Sequence, residues 1–380
     1  MSCSGQKRCI VVTCFAEKQA GYLDFSYRMH SLSRNYNLTI LSQDKLTQSE
    51  LFVQNAGYMD MGRKSGKFGW LGYLWKCASY IRKSKPDVIV LLHSSASPIT
   101  MMVGGIPACL YWNEHPSNLA RLSEGFSPIR NFLSKISQEL VLSGARHVDL
   151  VMPIGEEHYD DLLAHGCKRE RVKLVYMGVA DAFSGCAEVR VESSDALKLI
   201  YAGHVSAERG RDVMLEGMAK AVRSGCNVHL TMVGAIDEQL AYCRRRSIEL
   251  GIEDNVSVLG RIPGSEIPGA LAKADLGICL WEDLPWLRFN PPTKLFEYLA
   301  AGLPILASDV RTHTRYVENW GNGLIFEYGA EGLANAIAEM LTHRDRMHEM
   351  KLKALQSGQL YLWSRIEPEF LKCVAGVMRA

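Results

Sequence analysis

Asn290-Pro291-Pro292-Thr293-Lys294-Leu295-Phe296-Glu297-Tyr298-Leu299-Ala300-Ala301-Gly302-Leu303-Pro304-Ile305-Leu306-Ala307-Ser308-Asp309 is the stretch whose reading decides the fold. Paired prolines suit the first turn of a helix, Leu295, Phe296 and Leu299 give it an apolar face, and Gly302 followed by Pro304 stops it. Ile305 to Ala307 then read as a short buried strand. A helix that starts in a proline-rich loop and ends against a strand aims the N–H groups around Thr293 and Lys294 at whatever lies above the sheet. Such amides suit an anion. Glu297, about one turn inside, is a carboxylate placed to accept hydrogen bonds from vicinal hydroxyls such as those of a ribose. On pattern alone an amphipathic helix with an exposed glutamate fits equally well.

The residues around this stretch set the architecture. Leu197 to Gly203, Val228 to Val233, Val256 to Leu259, Leu276 to Trp281, Ile305 to Ala307 and Gly323 to Phe326 are short apolar runs, each separated by a helical segment. The same alternation fills the first half, at Arg8 to Cys14, Asn37 to Leu41, Asp87 to Leu92, Ala108 to Trp112 and Asp149 to Met152, with a helix over Tyr22 to Arg34. That is the pattern of parallel sheets covered on both faces. The fold class is α/β, with two Rossmann-like domains. The expected division is 1–183, a linker at 184–196 rich in Ser, Gly and Glu, 197–343, and helices over 344–380.

Composition narrows the function. With 380 residues and 47% hydrophobic content, two cores can be buried, and 43 basic against 41 acidic residues leave no footprint for nucleic acid. The apolar run Cys9 to Phe15 is too short for a secretory leader. Pro98 to Trp112, broken by Gly104, Gly105 and Pro107, is too short to span a membrane and reads as a short helix and a strand. Eleven scattered cysteines without a Cys-x-x-Cys pair fit a reducing compartment and neither a disulfide framework nor a zinc site. A cytoplasmic protein is expected, with no cofactor. No Asp-x-Asp or histidine cluster asks for a divalent metal.

Pro291 to Ile305 resembles the nucleotide-sugar site of retaining GT-B glycosyltransferases of glycosyltransferase family four (group 1), and the resemblance is densest over 197–326. It implies two Rossmann-like domains facing across a cleft, a C-terminal helix crossing back to the N-terminal domain with Trp363 as an anchor, and transfer of a sugar from a UDP- or GDP-sugar to an acceptor hydroxyl with retention and without metal. Polysaccharide, glycolipid or glycoconjugate synthesis is the implied setting, with a carbohydrate or lipid-linked acceptor. By the same resemblance Glu297, Lys294, Thr293 and Leu295 hold the donor. The loop Gly203-His204-Val205-Ser206-Ala207-Glu208-Arg209-Gly210 matches a loop whose arginine and lysine grip the diphosphate. Here His204 and Arg209 stand in those places, so either His204 is protonated beside the diphosphate or the charge rests on Arg209 and backbone amides.

Further donor contacts are expected at Gly21, in place of a Gly-Gly loop, at Gly234, at Arg261 and Ile262 beside the base, and at Asn290 or Asp283 near the sugar, since Phe289 occupies the position of a second glutamate. His115, after the strand Ala108 to Trp112, is either structural or a contact to the transferred sugar, with Glu114 a weaker choice. Trp70, Leu71, Leu74, Trp75, Ala78 and Ile81 form one helical stripe with basic flanks, read either as core or as a peripheral contact of residues 63–85 with a membrane face. A non-catalytic sugar-nucleotide binder and a GT-B epimerase remain open. A nicotinamide enzyme lacks its Gly-x-Gly-x-x-Gly and a P-loop enzyme its spacing.

Overall fold

The computed structural model describes residues 5–14, 22–43, 52–62, 66–117, 128–187, 196–284 and 287–378. The chain forms two units, 1–178 with 363–380, and 179–362. Each carries one six-stranded sheet, and every strand pairing is parallel.

In the first unit β1 (Arg8–Val12), β2 (Asn37–Ser42), β3 (Gly57–Asp60), β4 (Val88–Leu91), β5 (Ala108–Trp112) and β6 (Leu150–Pro153) lie in the order β3-β2-β1-β4-β5-β6. Every residue of the central strands β4 and β5 is buried, which is why they read as unbroken apolar runs. The edge strand β3 is mostly exposed and carries no such run, so its sequence gives no signal. The helix Gly66–Ser84 packs Tyr73, Leu74, Cys77, Ala78 and Ile81 inward. Trp75 does not belong to that face: it is 61% exposed, and Phe68 on the same outer side is 83% exposed. One residue on from Leu74 is a rotation of about 100°, enough to carry Trp75 off the core stripe. Arg63 and Lys64, expected to flank this helix, lie outside the described residues.

The last helix, Trp363–Val377, packs in this unit against the helix Tyr22–Asn35 and against β4 and β5. Its Trp363 ring lies against Gly178, where an added Cβ would sit 2.5 Å from Cε3. Arg28, fully buried, pairs with Asp24, donates to the Tyr176 carbonyl at 3.1 Å and lies 3.9 Å over the Tyr111 ring and 5.2 Å over Trp363.

The second unit holds β7 (Leu197–Ala202), β8 (Val228–Ala235), β9 (Val256–Gly260), β10 (Leu276–Cys279), β11 (Ile305–Ser308) and β12 (Gly323–Phe326) in the order β12-β11-β10-β7-β8-β9. Two boundaries differ from the sequence reading. Residues 179–183 belong to this unit, and so do 344–362, because the helix Met347–Gly358 packs on Thr293–Ala301. A Cβ at Gly358 would lie 2.2 Å from the backbone of Leu299 and Ala300, so the two helices touch backbone to backbone. Only the final helix returns to the first unit.

Candidate functional site

The helix Thr293–Ala301 is seated by Tyr298. Its ring covers Gly277 of β10, where a Cβ would come within 2.4 Å of Cδ2, and its hydroxyl accepts the Ala202 N–H at the end of β7 at 2.8 Å. The first turn of the helix is thereby held beside the carboxyl ends of β7 and β10, the side of a parallel sheet where ligands bind.

Two glycines let the backbone crowd there. Gly234 sits at φ +109 in a register shift of β8, and a Cβ on it would meet the Gly203 carbonyl oxygen at 2.4 Å. Gly203, at φ +142, donates its N–H to Val233 at 2.9 Å and faces Lys294, whose Nζ would be 2.9 Å from a Cβ there. Lys294 Nζ lies 3.4 Å over the Tyr201 ring, and the Tyr201 hydroxyl donates to the His204 carbonyl at 3.0 Å. Gly203, Gly234, His204 and Lys294 are therefore one constellation, although their segments are far apart in the chain.

The charges are poised. Burial pulls Lys294 down to about 7 from 10.5, with Arg209 adding to the effect, and burial pushes Glu297 up to about 7 from 4.5. Both side chains keep part of their surface open. An ammonium and a carboxyl that each hover near neutrality without ligand are groups whose charge a bound diphosphate or diol would fix.

Arg209 has no ion-paired carboxylate among the described residues; its guanidinium carbon lies 5.0 Å over the Trp281 ring. Trp281 is held in turn. Its N–H donates to Ser308 Oγ at 2.9 Å, that hydroxyl donates to the Trp281 carbonyl at 2.7 Å, and the His313 ring packs 5.3 Å from the indole. Burial keeps His313 down at about 4, hence neutral. Trp281 carries no motif signal, since it ends a strand that reads as ordinary core. Gly210 closes the loop at φ +77 with a Cβ position 1.7 Å from Leu280 Cδ2, which admits only glycine.

His204 is held below the ordinary imidazole range by burial, by Arg261 and by Arg209, against Glu208. These influences disfavour the imidazolium in the chain without a bound diphosphate. Gln239, not singled out in the sequence, lies 3.2 Å from the His204 ring through Nε2.

The remaining expected contacts divide. Leu295 is buried and its N–H is already given to the Pro292 carbonyl at 3.0 Å, so it offers a ligand neither side chain nor amide; the apolar face that packs the helix claims it. Arg261 is exposed just after β9 and its charge acts on His204; Ile262 is half-buried next to it. Thr293 and Asn290 are half-buried at the start of the helix. Asp283 is engaged by Arg288 at 2.8 and 2.9 Å. Gly21 lies outside the described residues.

In the first unit His115 is committed within the protein. Its Nδ1 accepts the Ser117 N–H at 3.2 Å, which leaves the proton on Nε2, 3.1 Å from Asp161. These bonds orient the ring, and a sugar contact through it requires exchanging one of those partners. Sequence reasoning passed over His93, which follows β4 as His115 follows β5. Its Nε2 lies 3.0 Å from Glu114 Oε2, and its Nδ1 accepts the Ser95 N–H at 3.1 Å. Glu114 thus serves His93.

Residues 188–356 match the family model described as Glycosyl transferases group 1, nearly the whole of the second unit. The amylovoran biosynthesis glycosyltransferase AmsK of Erwinia amylovora is 25% identical over 200 residues, 51% of this chain and 46% of that protein. The D-inositol 3-phosphate glycosyltransferase of Nocardia farcinica is 22% identical over 273 residues, 68% and 58% of the two chains. The chain thus spans about half the length of the curated relatives it matches. Among solved structures, Anabaena HepE in complex with UDP-glucose superimposes with a TM-score of 0.72 at 14% identity, covering 97% of this chain and 100% of that one. The fold is that of the GT-B glycosyltransferases.

Proposed function

We propose that this chain is a retaining, metal-independent glycosyltransferase that moves a sugar from a nucleoside diphosphate sugar to an acceptor hydroxyl. The observation that carries the reading is the meeting of Lys294, Glu297 and the Gly203 to Arg209 loop at one end of the second sheet, in the stretch matched by the group 1 model. The HepE structure is a complex with UDP-glucose, which makes UDP the first nucleotide to try.

Glu297 accepts hydrogen bonds from the ribose diol. Arg209, Lys294 and the amides of the first helical turn take the diphosphate, with Gly203 and Gly234 permitting close approach. As the bond from the anomeric carbon to the phosphate oxygen breaks, its electron pair stays on that oxygen, where these cations face it. The acceptor oxygen bonds to the anomeric carbon from the same side, and its proton passes to the leaving phosphate oxygen. Retention follows without a protein nucleophile.

On the acceptor side, Phe68 and Trp75 on an outer helix face with Lys76, Arg82 and Lys83, all exposed, support docking on an anionic bilayer that carries a lipid-linked acceptor. Sedimentation with anionic vesicles that a Phe68→Ser, Trp75→Ser variant fails to reduce refutes that part.

The main test is release of nucleoside diphosphate from a panel of sugar nucleotides, with thermal shift by UDP, GDP and ADP. A glycosyltransferase hydrolyses one donor slowly and faster with acceptor. Binding without turnover under every acceptor supports the non-catalytic reading, and an altered sugar without loss of the nucleotide supports an epimerase.

A further inference from the structure

Gln239 lies in the first turn of the helix Asp237–Leu250 and is 9% exposed. Its Oε1 accepts the Ile236 N–H at 3.1 Å. That bond fixes which end of the amide is which, because a flipped side chain would set NH2 against N–H. The atom 3.2 Å from His204 Nε2 is therefore the amide nitrogen, which can only donate. His204 Nε2 must then be the lone-pair nitrogen. The single proton of the ring resides on Nδ1, and an imidazolium would oppose two donors.

The surroundings act in the same direction. The charges that act on the ring are those of Arg261 from the end of β9, Arg209 and Glu208 from its own loop and Lys294 from the helix Thr293–Ala301, so positive charge outweighs the one carboxylate. Among the described residues the Tyr201 hydroxyl engages the His204 carbonyl and not its ring.

We propose that Gln239 is a positioning residue that holds His204 as the neutral Nδ1–H tautomer, so that this ring gives the donor diphosphate one hydrogen bond and no charge. The diphosphate role rests on the function proposed above; the tautomer does not. In this chain the charge at the leaving group is left to Arg209 and Lys294.

The test uses the full chain labelled with nitrogen-15 histidine, with the His204 signals assigned by their loss in His204→Asn. The wild-type ring is expected to show the Nδ1–H pattern at pH 8 and at pH 7. In Gln239→Glu the new carboxylate still accepts the Ile236 N–H and presents an acceptor to Nε2, so the imidazole should gain a proton and titrate about one pH unit or more higher. Gln239→Leu, which removes both bonds, should give mixed tautomers. A wild-type ring protonated at pH 7, an Nε2–H pattern, or a Gln239→Glu titration identical to wild type overturns the proposal.

The second arm measures UDP, GDP and ADP affinity by calorimetry from pH 6 to 8. The ratio of Gln239→Glu to wild-type affinity removes the contribution of Lys294 common to both. It should rise several-fold toward acid as His204 becomes charged. A flat ratio beside the expected resonances overturns the diphosphate role alone. No binding of any nucleotide by any variant, with those resonances intact, defeats the donor reading and leaves the tautomer standing.

Discussion

Replacing Glu297 by Gln should move stability and affinity in opposite directions. A carboxyl held at about 7 against its ordinary 4.5 is penalised in its ionised form. The displacement corresponds to about 3 kcal/mol. Because the side chain keeps some surface open, solvent screening reduces this to about 1 kcal/mol. The sign follows from the protons. Between pH 4.5 and about 7 the folded chain binds a proton that the unfolded chain has released, so the Glu297 contribution to stability falls as pH rises through that window. Glutamine binds none. At pH 8 Glu297→Gln should therefore be more stable than wild type by about 1 kcal/mol, and at pH 4 the advantage should vanish. Affinity for the donor should fall, since an amide offers one acceptor where the carboxylate offers two charged ones, a loss of about 2 kcal/mol or about 30-fold. Urea unfolding at the two pH values and calorimetric titration with the nucleotide found by thermal shift give both quantities. A variant that is no more stable at pH 8 refutes the desolvated carboxyl, and one that binds donor like wild type refutes its role on the ribose.

Three further outcomes follow from the same geometry. Calorimetry of nucleoside diphosphate binding at pH 7 in buffers of different ionisation enthalpy should show almost no net proton exchange in wild type, because Lys294 takes up about half a proton while Glu297 releases about half, and uptake of about half a proton in Glu297→Gln; adding Lys294→Met to that variant should abolish the uptake, and its persistence would assign the proton elsewhere. Trp281→Leu should weaken diphosphate binding about 5-fold by removing the ring under Arg209, whereas Trp281→Phe should stay within about 2-fold; equal effects of the two, or losses additive with Arg209→Ala, would separate the ring from the arginine. Tyr298→Phe leaves the Ala202 N–H buried without its acceptor and should cost about 1–2 kcal/mol in urea unfolding of the second unit; an unchanged midpoint would show that the hydroxyl does not seat the helix.

The sequence by itself determined the layered α/β plan and most of the strands. Apolar runs such as Ala108–Trp112 and Gly323–Phe326 are buried along their whole or nearly whole length, so burial writes itself directly into residue type. It also determined the helix Thr293–Ala301 of the second unit, because Pro292, the apolar face and Gly302 act on their own neighbours. The exposed edge strand Gly57–Asp60 left no such trace, and Trp75 was grouped with the buried stripe although one residue of rotation carries it to the exposed side. Only the tertiary structure decided who partners whom. It gave His115 to Asp161 and His93 to Glu114, set Trp281 under Arg209, and brought Gln239 to His204 across 35 residues of chain. Local propensity fixes an element through adjacent residues, but a protonation state or an unpaired guanidinium depends on which distant side chains the folded sheet carries to the same end, and that is set by packing and strand order.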